Sequence, residues 1–251
     1  MDEIKTQQKI IKSHEAYESF IRHYWRYYKE LESEILSTRR YVDFDEGNFT
    51  SFSVEYLKLY QAVCSEIDVL GKAIAESIDK NFKPNEKQNN IYKWWLIIQD
   101  ELKFPTWNDE KMEWDYVDLD KAEVDFFSYI PMKPWDNFET EVRPNKKGVI
   151  RTELVKGKRV PSWWSDYNKV KHHRTSRISN SNRINYTKAN LGNLAKSISA
   201  LYVLEYSFMH SVGTKTDIEA FADNSELFTK IAFTTSEDME RMFDFDVLDE
   251  Y

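Results

Sequence analysis

Between residues 14 and 38 the apolar positions Tyr17, Phe20, Tyr24, Tyr28, Leu31 and Ile35 return every three or four residues. That period places one apolar stripe on one face of a long helix. After the loop "DFDEGN", Ser51 or Ser53 is a candidate cap for a second helix. Its stripe is Tyr60, Cys64, Ile67, Gly71, Ile74 and Ile78, widened by Val63 and Leu70. The two helices are expected to pair antiparallel, the second ending at Pro84. A shorter helix follows in "KQNNIYKWWLIIQDEL", before Pro105.

The period then changes. Residues 104 to 161 hold five of the six prolines, and alternation in "MEWDYVDL" and "GVIRTELVKGKRV" predicts short strands. In the second, Lys156-Gly157 has the form of a hairpin turn. Helical spacing resumes after Pro161, with Ser162 a candidate cap for "SWWSDYNKVKHHRTSR". Residues 185 to 210 carry Leu191, Leu194, Ile198, Leu201 and Phe208 on one face. The expected fold is mainly α, one domain over 1–251. A helical core spans about 14–103 and 162–210, around a mixed, partly β insertion at about 104–161, and the tail from about 217 to 251 is acidic.

Composition supports that picture. Aromatics make up 15% of the chain, so much of the core must be built from large rings, and only 6 Gly and 6 Pro leave room for long regular elements. No apolar run reaches membrane-span length and no signal peptide is visible, which predicts a cytoplasmic protein with no membrane partner. One cysteine, Cys64, excludes an internal disulfide, and its position on an apolar stripe reads as packing.

Charge changes the picture more. The net charge of −8 argues against a nucleic-acid partner, yet thirteen Lys and Arg lie between Arg143 and Lys188, opposed only by Glu153 and Asp166. Such segregation creates a local field that attracts phosphate. A basic face that neutralises the acidic tail is the plainer alternative. No phosphate loop, nucleophile elbow, calcium loop or zinc-ligand spacing is present, so no cofactor or metal is expected.

The chemistry-bearing stretch is "PSWWSDYNKVKHHRTSR", residues 161–177. On a helix Asn168 and His172 share a face, with Lys171 at its edge. Tyr167, Lys171 and Arg174 form a second row. Imidazole can move a proton near neutrality, an amide can orient it or a phosphate, and cations offset charge on a developing phosphorane. The same residues also suit a packing helix whose Asn and His make core hydrogen bonds.

"YNKVKH" resembles the motif of the HEPN superfamily, small helical domains that include many RNases. Their pattern is Arg, four to six residues, then His, often Arg-Asn-x-x-x-His. Asn168 and His172 match it; Tyr167 stands where the family has Arg. "DVLGK", Asp68 to Lys72, is similar to an acid-x3-Lys element on an early helix of some members. The resemblance implies an HEPN-like antiparallel helical bundle and a metal-independent endoribonuclease acting on RNA, of an antiphage or toxin–antitoxin system. It implies a homodimer and an antitoxin or regulatory protein as partner. His172, Asn168 and Tyr167 would be catalytic, and Lys171, Arg174, Arg177 and Lys169 would bind phosphate. Tyr for Arg leaves a second implication open: a non-catalytic module that binds RNA, nucleotide or protein.

Overall fold

The computed structural model describes residues 10–86, 89–144, 148, 150–222 and 224–228. The acidic end, 236–251, lies outside the described residues. The helices are α1 (His14–Phe20), α2 (Arg26–Thr38), α3 (Val54–Ile78), α4 (Ile91–Ile98), α5 (Ser162–His173), α6 (Leu191–Val212) and α7 (Lys215–Ala220). Six short strands lie between α4 and α5: β1 (Lys103–Asn108), β2 (Glu113–Asp118), β3 (Val124–Phe126), β4 (Ile130–Met132), β5 (Thr140–Pro144) and β6 (Ile150–Leu154). The chain is mainly α.

α1 and α2 are one rod interrupted by a π turn, Ile21–Trp25, in which the Arg26 N–H reaches back five residues to the Ile21 carbonyl. The reason is visible in the burial. The stripe predicts Tyr24 on the core face, but Trp25 is the buried ring and Tyr24 is half-exposed. The apolar face therefore steps by five from Phe20 to Trp25, the repeat of a π turn. α3 begins where its cap predicts: Ser53 Oγ accepts the Tyr56 N–H at 3.0 Å. It ends at Ile78, with Asp79 extended, before Pro84 is reached.

α6 is the centre. Leu, Ile, Val, Tyr and Ala are buried around its whole circumference, together with Ser197, Ser199, Glu205 and Ser207. A one-faced helix is the expectation from its leucines; a helix buried on all sides is what forms. α1 and α2 run antiparallel to it: Ser13 N–H donates to the Val212 carbonyl at 2.9 Å, and Tyr28 lies 5.9 Å from Tyr202. α3 runs in the same direction as α6, from the bridge Phe52–Asn190 to the neighbours Glu66 and Glu205. The first long helix and α3 are therefore antiparallel, as their spacing predicts.

The remaining sides of α6 are covered by β1 and β3. The strands pair as three consecutive antiparallel hairpins, β1–β2, β3–β4 and β5–β6. Two-stranded hairpins are marginal alone and need a surface to pack on. Here the segment 103–154 shares the helices' core: Phe104, Leu119, Phe126, Trp135 and Phe138 are all buried. "MEWDYVDL" forms β2 as expected. β6 pairs backwards with β5, so Lys156-Gly157 is a turn, closed by Lys158 N–H on the Val155 carbonyl at 2.9 Å, and not the tip of a hairpin. Gly157 takes a φ of +92°, which explains the glycine.

Trp94 of α4 packs directly over Gly71 of α3. A Cβ there would sit 2.8 Å from the indole of Trp94, which is fully buried. Gly71→Ala is expected to lower stability by about 1–3 kcal/mol, because the ring has no room to yield. Urea unfolding of the variant measures this; an unchanged midpoint would mean the two helices can part without cost.

Candidate functional site

α5 starts against Pro161, which occupies the cap position, so Ser162 is the first helical residue and not the cap. One face is core. Trp163, Trp164, Tyr167 and Val170 are buried, and the Trp163 indole N–H donates to the Pro134 carbonyl at 2.8 Å. The Tyr60 hydroxyl donates to the Trp163 carbonyl, locking α5 onto α3. The paired indoles are anchors.

Tyr167, at the position where the resembled motif has Arg, is 5% exposed. Its ring packs edge-on to Tyr60 at 6.0 Å, and Lys171 Nζ lies 5.3 Å above it. Burial first, then the neighbouring Cys64 and Asp68, pushes its hydroxyl up to about 12. At neutral pH it keeps its proton and cannot serve as a base.

Tyr167, Asn168 and Lys171 line a cleft of about 720 Å³ with Asp68, Lys72 and Trp164. The "DVLGK" element and the motif helix thus meet across one opening. Asp68 is committed there, accepting from Lys72 at 2.5 Å and from the Trp94 indole at 3.2 Å. The Asn168 amide turns back on its own helix and donates to the Trp164 carbonyl at 3.2 Å.

His172 does not line this cleft. It is exposed, one turn beyond Asn168, and among the described residues no hydrogen bond orients its ring; the His173 ring is 6.5 Å away. Lys169, expected to bind phosphate, faces Asp166 at 3.0 Å. Asp166 also accepts from Lys188 at 2.7 Å and lies 3.4 Å from the Asn193 amide. Burial works to raise the Asp166 pKa, but the bonds from Lys188 and Lys169 outweigh it and the net shift is downward. This knot ties α5 to the start of α6. It draws Lys169 and Lys188 out of the free positive charge.

Past α5 the chain folds back on itself. The Asn185 amide donates to the His173 carbonyl, and the Tyr186 N–H to the Arg174 carbonyl, both at 2.9 Å. These bonds satisfy carbonyls that a helix end leaves open. Ile178 N–H reaches the Arg183 carbonyl at 2.9 Å, Arg177 bridges Ile184, and Asn180 turns the tip with a φ of +59°. Arg174, Arg177 and Arg183 stand exposed along this loop, and none pairs with an acid among the described residues. Beside it, the rings of Phe52 and Tyr186 meet edge to face at 5.6 Å.

The candidate residues thus fall into three groups. Tyr167, Asn168 and Lys171 share the cleft, while His172, Arg174 and Arg177 share the open end of α5. Lys169 belongs to the structural knot. Sequence reading did not find Phe52, Tyr186 or Asn185 because their roles rest on contacts across the chain; the Phe52–Tyr186 pair is 134 residues apart. Among the described residues no three His, Cys, Asp or Glu side chains gather to hold a metal, and no helix is long and apolar enough to cross a membrane. No protein-family model, curated protein or solved structure matches the chain.

Proposed function

We propose that this chain is an HEPN-like module that binds RNA through the end of α5 and the loop that follows. The observation that carries this is the set of exposed guanidiniums, Arg174, Arg177 and Arg183, without an acidic partner among the described residues, next to Lys171, His172 and His173. Cations in a last helical turn also complement the helix dipole, for about 0.3–1 kcal/mol. That accounts for residues up to 173. It does not account for Arg177 and Arg183, which lie beyond the helix.

Binding of a labelled RNA oligomer, followed by fluorescence anisotropy across a salt series, tests the reading. Phosphate contacts release counterions, so affinity should fall steeply with salt. Arg174→Ala with Arg177→Ala should flatten the log–log slope by about 1.4, at about 0.7 per lost contact. A slope near zero in the parent protein, or one untouched by the double change, defeats the proposal.

A second reading, a metal-independent endoribonuclease, is favoured by one observation: Asn168 and His172 are both exposed, one turn apart, with Lys171 between them and Arg174 beyond. His172 would be the general acid/base. A homodimer, or the RNA itself, would have to supply the group that orients it. Cleavage in EDTA leaving a 2′,3′-cyclic phosphate, lost in His172→Ala, is the expected result; RNA left intact by the parent protein rejects it. The antiphage setting and an antitoxin go with this reading, while a regulatory protein partner fits either.

A further inference from the structure

Resting on the RNA reading, we propose that Phe52 and Tyr186 form a base-stacking subsite for an unpaired stretch of RNA. Phe52 is 46% exposed, so part of its ring is open to solvent. Among the described residues its ring contact is edge to face with the partly buried Tyr186, interplanar angle 89°, an arrangement that does not sandwich both faces of either ring.

The pair is also held in place. Phe52 is bridged to Asn190, and the Ser51 carbonyl accepts the Leu191 N–H at 2.9 Å. Tyr186 is fixed through its own N–H to the Arg174 carbonyl at 2.9 Å. A ring presented by backbone pinned on both sides loses little freedom when a flat ligand lands on it.

What lies around it selects the occupant. The backbone that holds Tyr186 is the backbone of Arg174, and Arg177 and Arg183 stand on the same loop. A flat apolar face beside several unpaired cations suits a chain that alternates aromatic bases with phosphates. A duplex hides its base faces, so it could use the cations but not the rings. An acidic protein segment without aromatic side chains could likewise use only the charge. The subsite is separate from the Asn168–His172 face, which it would serve by fixing where along a strand the backbone meets α5.

The test uses the full chain and two labelled strands of equal length: oligoadenylate and a base-free ribose-phosphate chain. Base–aromatic stacking is worth about 1–3 kcal/mol per base, so the base-bearing strand should bind about 5- to 150-fold more tightly. Phe52→Ala and Phe52→Leu should lose that advantage while leaving affinity for the base-free chain in place. Phe52→Trp should keep it. Equal binding of the two strands, or indifference to all three changes, overturns the subsite and leaves the RNA reading standing. Failure of the parent protein to bind either strand overturns both.

Discussion

Glu205→Gln is expected to make the protein more stable at pH 8 and to change little at pH 4. Glu205 sits on α6 with no solvent exposure, and among the described residues neither carboxyl oxygen has a hydrogen-bond partner. An unpaired carboxylate in such a place is costly, so the fold favours the neutral acid. Burial, and then the charge of Glu66 on α3, drives its pKa well above the ordinary 4.5. Glu66 is itself raised by burial, and Tyr24, from the π turn, is raised by burial and by both glutamates.

The sign follows from proton counting. Below pH 4.5 both the folded and the unfolded chain hold the proton, and Glu205 adds no pH dependence. Above it the unfolded chain releases a proton that the folded chain keeps. Stability then falls as pH rises toward the folded pKa, with a slope approaching about 1.4 kcal/mol per pH unit for one such group. Gln has nearly the same shape and no proton to lose. The stability difference between variant and parent, from urea unfolding at several pH values, should therefore open steadily above pH 5. A difference that stays flat to pH 8 would mean Glu205 is ionised in the fold. Asp118, held down to about 2 by Lys103 and Lys121, titrates alike in both proteins and cancels.

Trp135→Ala should be the most damaging single change, at about 3–5 kcal/mol. Trp135 is fully buried and stacks on Trp95 at 4.6 Å. It meets Trp163 edge-on at 5.2 Å, and its N–H donates to the Ala200 carbonyl of α6 at 3.2 Å. One ring from the strand-rich segment thus touches α4, α5 and α6 together. Since a domain's whole stability is about 5–15 kcal/mol, the variant should be largely unfolded in mild denaturant. Equilibrium unfolding by tryptophan fluorescence measures the loss. A cost under about 1 kcal/mol would mean that residues 104–161 hang beside the helical core instead of completing it.

The helices were legible because their cause is local. Leu, Ile and Tyr at spacings of three and four give α3 its face, and Ser53 marks its start. Cys64 reads correctly as buried packing for the same reason. Features decided by distant parts of the chain were not legible. Asp166 reads as one of two acids in a basic run, and only the approach of Lys188 and Asn193 from beyond the loop makes it a knot. The pairing with Lys169 is local, since it lies three residues after Asp166 on α5 while Lys171 lies five after. The sparse charge of α6, Lys196 and Glu205 alone, marks it as buried beyond one face, but the outer wall that covers it comes from strands some 80 residues earlier. At the candidate site, the shared face of Asn168 and His172 followed from spacing alone. The separation of His172 from the cleft that holds Tyr167 required the fold.

The π turn at Ile21–Trp25 bears on which length changes this chain could absorb. Removing one residue from an ordinary stretch of α2 would rotate everything before it by about 100° and swing Tyr17 and Phe20 away from α6. Removing one from 21–25 would instead convert a five-residue step into a four-residue one. Phe20 and the present Trp25 would remain in phase, now on an unbroken α-helix. The first long helix therefore carries one spare residue, and the place where it can be given up is the turn that faces the buried glutamates.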